Sequence, residues 1–569
     1  MHKTGLLETL SALRKAGLLT GIKTHFRNFF GNMGFQLLEE VSRLPRAAVD
    51  IALALGTGER TVQGVSPLAM AKATYAAATE GVREAKNIMR HGVSGNALLK
   101  VSVNRPVNSG IRWLDAYANF IFRLMSAEDA IFKSYAFRRS LEEQAFLTAK
   151  RTGQVPAAIL AAPTPAMFAR AFADAEFATF NNKNILATEW SQGKSRLSQK
   201  GVAGATAAFA GDLVVPFTNT PANILARVLD YSVVGAVAKG GTAAARSVIA
   251  QGVPEAQQRA MADALGRGMT GSAIIWLGWT LAAAGLLTGG GDDDEGDRNV
   301  ATAAGRLPGA LLLGDRWHTV NALSPLGNLL TLGATMYRQS SRPLRNELSR
   351  AGKIAGVATQ TVLDQPMLTG LQNIVDTLEN PGRRLESFIG SNAGSFVPTF
   401  IADAASMFDP YRRDARPDGF TEALWRGPQG RLPGLRNWLP EKTDMLGRTV
   451  KQDKLSAVYF GLGSPAKELT DPVLKALLAA DVGLGSPKRR DNETDAELRT
   501  RTRAIGQAIE KRLVRVVRSS TFNARPLEWR REQLERAVAD GREDARKRQP
   551  PPSRPSPRSG AVPREGVPQ

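Results

Sequence analysis

Cysteine is absent from all 569 residues. That excludes disulfides, thiolate metal sites and cysteine nucleophiles. It also suits a chain that meets both reducing and oxidising compartments. Histidine is almost absent: His2, His25, His91 and His318 stand far apart, so the paired-histidine zinc pattern is missing. Aromatic residues make up only 7% of the chain. β-branched runs are few while Ala and Leu are abundant, which points to helices rather than sheets. Acid is short relative to base, 53 against 74 residues, for a formal net charge of +21. Such a balance favours polyanions, either nucleic acid or acidic lipid, and serves equally as a basic solubilising surface. No G-x-S-x-G, P-loop or helix-opening G-x-G-x-x-G occurs. The sequence therefore predicts no cofactor, no metal and no enzyme.

One stretch lacks charge altogether. Met269 to Gly291 carries no ionisable residue, between Arg267 and the acidic cluster Asp292, Asp293, Asp294 and Glu295. A helix of roughly 20 residues spans a hydrocarbon core of ~30 Å. The run is thus a candidate membrane helix, and the alternative is a buried helix of a large bundle. Gly271, Gly278 and Gly285 recur every seven residues and permit close helix packing in either setting. Trp276 and Trp279 fall mid-run rather than at an interface, beside Ile275 and Leu281. Arg259 and Arg267 before the run, and acids after it, place its N-terminal side in the cytoplasm if it inserts. Residues 201–226 and 317–337 are weaker apolar companions, broken by Asp212, Pro216, Pro221 and Ser324-Pro325. No signal-peptide core precedes Gly21, because Glu8, Arg14 and Lys15 interrupt it.

The remaining chain reads as helix. Residues 4–16 form a short amphipathic piece. Residues 24–55 place Phe26, Phe29, Phe30, Met33, Leu37, Leu38, Val41 and Leu44 at helical spacing, with Pro45 expected to end or kink the helix. Helices follow over 68–90 and from Ile111 to about Arg151, and Pro156, Pro163 and Pro165 break 152–169. Thr494 and Glu497 form a capping-box pattern before a helix through Ile505, Ile509, Leu513 and Val517. A highly charged helix over 526–548 comes next. The predicted fold class is all-α: an elongated multi-helix assembly with Pro/Gly-rich connections and a disordered C-terminal tail. Its expected divisions are 1–66, 67–200, 201–340, 341–407, a turn-rich extended stretch at 408–490, basic helices at 491–548 and a Pro/Ser/Arg-rich tail at 549–569.

Few constellations carry chemistry. His318 beside Trp317 reads as a hydrogen-bonded structural histidine. Asp292 to Asp297 lacks the spaced ligands of a calcium loop. Glu386-Ser387 repeats a dipeptide of lytic transglycosylases, without their further motif. Lys511, Arg512, Arg515 and Arg518 are candidate polyanion contacts. Lys511, Arg515 and Arg518 share one helix face, with Leu513, Val514 and Val517 on the other. Arg554, Arg558 and Arg564 add at most weak phosphate affinity.

Several ordered strings resemble one family. Leu19-Thr20-Gly21-Ile22-Lys23-Thr24-His25-Phe26-Arg27-Asn28-Phe29-Phe30-Gly31-Asn32 is similar to the L-T-G-x-x-T-x-x-x-N-x-x-G-N opening of large polyvalent phage and prophage proteins. Ala127 to Lys133, Val215 to Ile224, Gly314 to Trp317 and Leu323 to Gly327 follow in the family's order, then Gly394 to Pro398, Asp409 to Arg413 and Leu432 to Leu435. In that family the region often lies behind enzymatic modules, which are expected to be missing here because Met1 lies just upstream. The resemblance implies a helical internal virion, or ejection, protein. It would be carried in the capsid, delivered with the genome and take part in a DNA conduit across the host envelope. Implied partners are the portal, other ejection proteins, phage DNA bound without sequence preference, the host inner membrane and further copies of the chain. The rival readings are a water-soluble structural virion protein and a peptidoglycan-degrading enzyme.

Overall fold

The computed structural model describes residues 5–92, 106–249, 253–290, 295–340, 392–417, 420–452, 466–467, 470–490 and 493–548. Helix dominates, as composition predicts. Along the chain run α1 (Leu6–Leu19), α2 (Ile22–Thr57), α3 (Pro67–Ala76), α4 (Val82–His91), α5 (Arg112–Thr152), α6 (Pro156–Ala161) and α7 (Pro165–Ala178). Then come α8 (Ile185–Ser198), α9 (Gly201–Val214), α10 (Asn219–Asp230), α11 (Val233–Ile249), α12 (Glu255–Ala283), α13 (Glu295–Ala303) and α14 (Leu326–Ser340). After residue 391 lie α15 (Thr399–Phe408), α16 (Phe420–Gln429), α17 (Pro472–Ala479), α18 (Asp495–Val517) and α19 (Leu527–Arg548).

The prolines act largely as punctuation. Pro67, Pro156, Pro165 and Pro472 each open a helix, where a missing N–H is harmless. Pro45 departs from expectation: α2 runs straight through it to Thr57. The carbonyl that Pro45 strands is that of Val41, which is half exposed, so water can take it up. Between α3 and α4 the predicted single helix widens into a π turn at Ala77–Gly81. Gly81 lies there against the Ile131 backbone, and a Cβ would come within 2.9 Å of it.

The sequence reading contains no strand, yet a small antiparallel sheet forms. β1 (Ala310–Leu313) pairs with β2 (Arg316–Thr319), and β2 with β3 (Ala466–Lys467). Gly314, at φ +66°, turns the hairpin, and Trp317 is its buried anchor. The Gly-Asp pair directly after the apolar run Ala310–Leu313 is the turn signal the sequence offers there.

The chain divides into two units. The first comprises residues 1–292, 305–440 and 451–468, and the second comprises 293–304, 441–450 and 469–569. Both are discontinuous in sequence, unlike the seven consecutive stretches expected. The turn-rich expectation for 408–490 meets two helices, α16 and α17. The second unit has an ordinary apolar core of Val300, Leu446, Leu474, Leu477, Leu484, Leu513, Phe522 and Leu534 with their neighbours. Thr494 and Glu497 cap α18 reciprocally, as the sequence predicts. Asp292 to Asp294, Glu386-Ser387, most of the segment 341–407 and the tail from residue 549 lie outside the described residues.

Candidate functional site

The first unit turns its two central helices inside out. From Met33 to Leu55, the exposed residues of α2 are Met33, Leu37, Val41, Leu44, Ala48, Ile51, Ala52 and Leu55. None is polar. Leu44 is 63% exposed and Leu55 88%. The charged residues of the same stretch, Glu40, Arg43, Arg46 and Asp50, are buried, and Glu39 is nearly so. α12 repeats the pattern: after Glu255 its exposed residues are Ala256, Ala260, Leu265, Met269, Ala273, Trp276, Leu277 and Ala283, whereas Arg259, Asp263 and Arg267 turn inward. Each Leu, Ile or Val left half in water forgoes about 1 kcal/mol of burial.

An ionic core links the inward faces. Arg46 donates to Asp263 (2.7 Å) and Glu39 (3.1 Å). Arg267 forks onto Glu39 at 2.9 and 3.0 Å, and the Tyr231 hydroxyl adds a third donor at 2.8 Å. Burial pushes the Glu39 carboxyl up, but Arg267 and Arg46 outweigh it and hold it down at about 2. On the other flank Arg139 donates to Glu40 (2.9 Å), while Arg43 and Arg259 (2.7 Å) converge on Glu143. Burial raises the Glu143 carboxyl as well, and the arginines, Arg43 foremost, bring it below the usual range. Asp50 accepts from Thr61, Val62, Arg60 and Gln258, which carries the loop after α2 and the start of α12. Phe177 is held between Arg227 and Arg267, whose guanidinium carbons lie 3.4 and 4.5 Å from its ring centre. A cavity of about 50 Å³ amid Glu39, Glu40, Arg43, Arg139 and Arg259 has room for water and not for an organic ligand.

The charge-free run takes its place in this frame. It is not one helix: α12 starts fourteen residues before it, at Glu255, and stops at Ala283. The chain then turns at Gly285, at φ +71°, where a glycine is favoured. Among the described residues no helix is long and apolar enough to cross a membrane. The seven-residue glycine spacing thus combines two uses. Gly271 lies against the Tyr231 carbonyl and Gly278 against the Leu330 carbonyl, where any Cβ would overlap the oxygen. Gly333 of α14 likewise faces the Ile275 carbonyl. Gly285 has open space around it and serves the turn alone. Trp279 packs edge-on against Tyr337 with ring centres 5.5 Å apart, and Leu281 joins Leu287, Val320 and Ala334. Trp276 is 68% exposed. Of the residues singled out in this run, Trp276 therefore faces outward, while Ile275, Trp279 and Leu281 are partly covered within the bundle.

In the second unit Lys511, Arg515 and Arg518 are exposed on α18 and its end, with Leu513 buried behind them. Arg512 is drawn aside, donating to Asp544 at 2.8 Å. Three of the four candidate polyanion contacts thus stay available to an anionic partner. His318 sits on β2, half-buried and not in a cluster. Among the described residues no group of three or more histidines and carboxylates is arranged to hold a metal.

Local pattern could not find the ionic core. Arg46–Glu39 is local, but the pairs that join different helices lie about a hundred to two hundred residues apart, as in Arg43–Glu143 and Arg267–Glu39. What emerges is an all-α protein whose larger unit has buried apolar clusters, such as that of Phe35, Leu38, Phe180 and Leu329, beside an ionic core that turns the apolar faces of α2 and α12 outward. No family model, curated protein or solved structure matches the chain.

Proposed function

We propose that this chain is an internal virion, or ejection, protein that is delivered with a phage genome and contributes helices to a conduit across the host envelope. The ordered strings between Leu19 and Leu435 support the class. The observation that carries the mechanism is the inversion of α2 and α12. Apolar outer faces are stable only when something covers them, so the first unit is built to assemble. The charges of α2 between Glu39 and Asp50, and Arg259, Asp263 and Arg267 of α12, are paired inside, and this allows the two outer faces to meet other virion proteins or the apolar margin of the inner membrane. The exposed cations of α18 and the net charge of +21 suit storage beside DNA or contact with it along its path. The absence of cysteine leaves no covalent cross-link to obstruct passage through a narrow tail.

A second reading, a structural virion protein that stays in the particle, draws on one observation: no described helix is long and apolar enough to span a bilayer. Proteomics of purified virions before and after genome release separates the two. Ejection predicts the chain in full particles and its loss from emptied ones. Retention in emptied particles favours the structural reading, and absence from both removes the virion assignment.

A further inference from the structure

Leu37, Val41, Leu44, Ala48, Ile51 and Leu55 follow one another at intervals of four, three, four, three and four along α2. All six are exposed. This is the seam spacing by which one helix packs its side chains into the gaps of another. Any single face of a helix has this spacing, so the order of side-chain sizes along it is what names the partner. We propose that this seam is a homodimer interface: two copies of the chain pair along α2, antiparallel, about a two-fold axis near Arg46.

The order of side-chain sizes selects that arrangement. Antiparallel pairing about residue 46 sets Leu37 against Leu55, Val41 against Ile51 and Leu44 against Ala48, each layer occurring twice. Every layer then contains at least one large aliphatic group. Parallel pairing in register sets Ala48 against Ala48, between two layers of doubled large residues, and leaves a gap in the middle. Of the flanking positions, Leu38, Glu40 and Ala47 are buried beneath the seam, and Pro45, Ala52 and Ala54 are small or compact and uncharged, so the helices can approach closely. The charges of the same helix, Arg43, Arg46 and Asp50, are buried behind the seam in ion pairs. Two chains of formal charge +21 therefore meet on a strip that presents no charge of its own. The pairing names a partner for the outer face on which the proposed function rests, and it needs no virion to be tested.

The cysteine-free chain allows a clean test. Val41 and Ile51 lie ten residues apart, about 15 Å along one helix, which is too far for a bond within a chain. In the proposed pair each faces the other's counterpart. Full-length Val41→Cys/Ile51→Cys protein, oxidised after purification, should run as a covalent dimer on a denaturing gel, and each single variant, though paired in solution, should form little covalent dimer. Leu44→Glu in the double-cysteine background should lower the dimer yield at least tenfold, with an unchanged far-ultraviolet dichroism spectrum showing that the fold survives. Failure of the folded double variant to cross-link overturns the proposal. So does equal cross-linking of the single variants, which is the signature of a parallel pair. Sedimentation as a monomer together with flotation on phosphatidylcholine/phosphatidylglycerol vesicles, abolished by Leu44→Glu, would assign the seam to lipid instead. A chain absent from virions that still cross-links leaves this pairing intact and removes only the functional reading. A virion protein that fails to cross-link does the reverse.

Discussion

α2 and α19 are both amphipathic, and they face opposite ways. α19 buries Leu534, Ala537, Val538, Gly541 and Ala545 and shows solvent Arg531, Glu532, Glu535, Arg536, Arg542 and Glu543. α2 buries Glu40, Arg43, Arg46 and Asp50 and shows solvent Leu37, Val41, Leu44, Ile51 and Leu55. The second unit is thus complete in water by the usual rule, with apolar groups inside and charge outside. The first unit has buried apolar clusters of its own, but α2 and α12 meet that rule only when their outer faces are covered. The difference is what points the proposed assembly surface to the first unit rather than the second.

The sharpest way to break the comparison is to remove a buried charge. Glu143→Leu takes the shared carboxylate from Arg43, which keeps Glu40 at 3.1 Å, and from Arg259, which keeps Asp174 and Asp263 at 3.6 and 3.7 Å, and should cost about 3 kcal/mol, the low end for a broken buried pair. Urea unfolding of this variant should show that loss. Asp544→Ala, which removes the partner of Arg512 on the solvent-exposed surface of the second unit, should change stability far less, because water screens that pair. Equal effects would mean that the interior of the first unit is well hydrated and that the contrast fails.

Glycine substitutions come next. Gly278→Ala drives a methyl into the Leu330 carbonyl and should destabilise by about 1–3 kcal/mol or more, with a lowered thermal midpoint. Gly285→Ala meets open space and only the strain of a positive φ, about 1 kcal/mol. If the two prove equal, α12 and α14 are not in close contact.

Acid should act on the first unit in two opposing ways. Glu39 has a folded pKa held near 2, below its ordinary value near 4.3. Its contribution is therefore present above pH ~4 and lost as pH falls toward 2. Asp129 is raised to about 6, by burial above all, despite hydrogen bonds from Asn181 and Asn28. Its folded pKa lies above its unfolded one, so this group weakens the fold as pH climbs from ~4 to ~6. Asp129→Asn should flatten that window and gain on the order of 2 kcal/mol at pH 7, measured by denaturant titration across pH. A stability profile between pH 4 and 6 that is identical to the parent's removes the buried acid from the account.

The smallest expected effect is on the outer face. Met269→Glu and Trp276→Glu replace exposed side chains and should shift monomer stability within about 0.5 kcal/mol. Their consequence should appear in assembly or vesicle binding instead.

How much of this was legible depends on distance along the chain. The spacing of Phe29, Met33, Leu37, Val41 and Leu44 identifies a helix and an apolar face, and both are present. Which face turns inward is decided by Arg139, Glu143, Asp263 and Arg267, a hundred or more residues away, and no local pattern contains them. The capping box at Thr494 is local, and it was readable. The run from Met269 reads as one element because it lacks charge, whereas α12 stops within it at Ala283. Its end is set by the turn at Gly285, and its register by carbonyls on neighbouring helices. Of the basic cluster, Lys511, Arg515 and Arg518 keep their readable solvent face, whereas the withdrawal of Arg512 depends on Asp544 of the next helix.

The inversion of α2 can be measured directly. Single cysteines placed one at a time over residues 37–55 of the otherwise cysteine-free chain can be timed with a water-soluble maleimide, at dilution low enough to separate copies. The account predicts fast labelling at 37, 41, 44, 48, 51 and 55 and slow labelling at 40, 43, 46 and 50. Fast labelling at the charged positions and protection at the apolar ones, the pattern of an ordinary amphipathic helix, would contradict it.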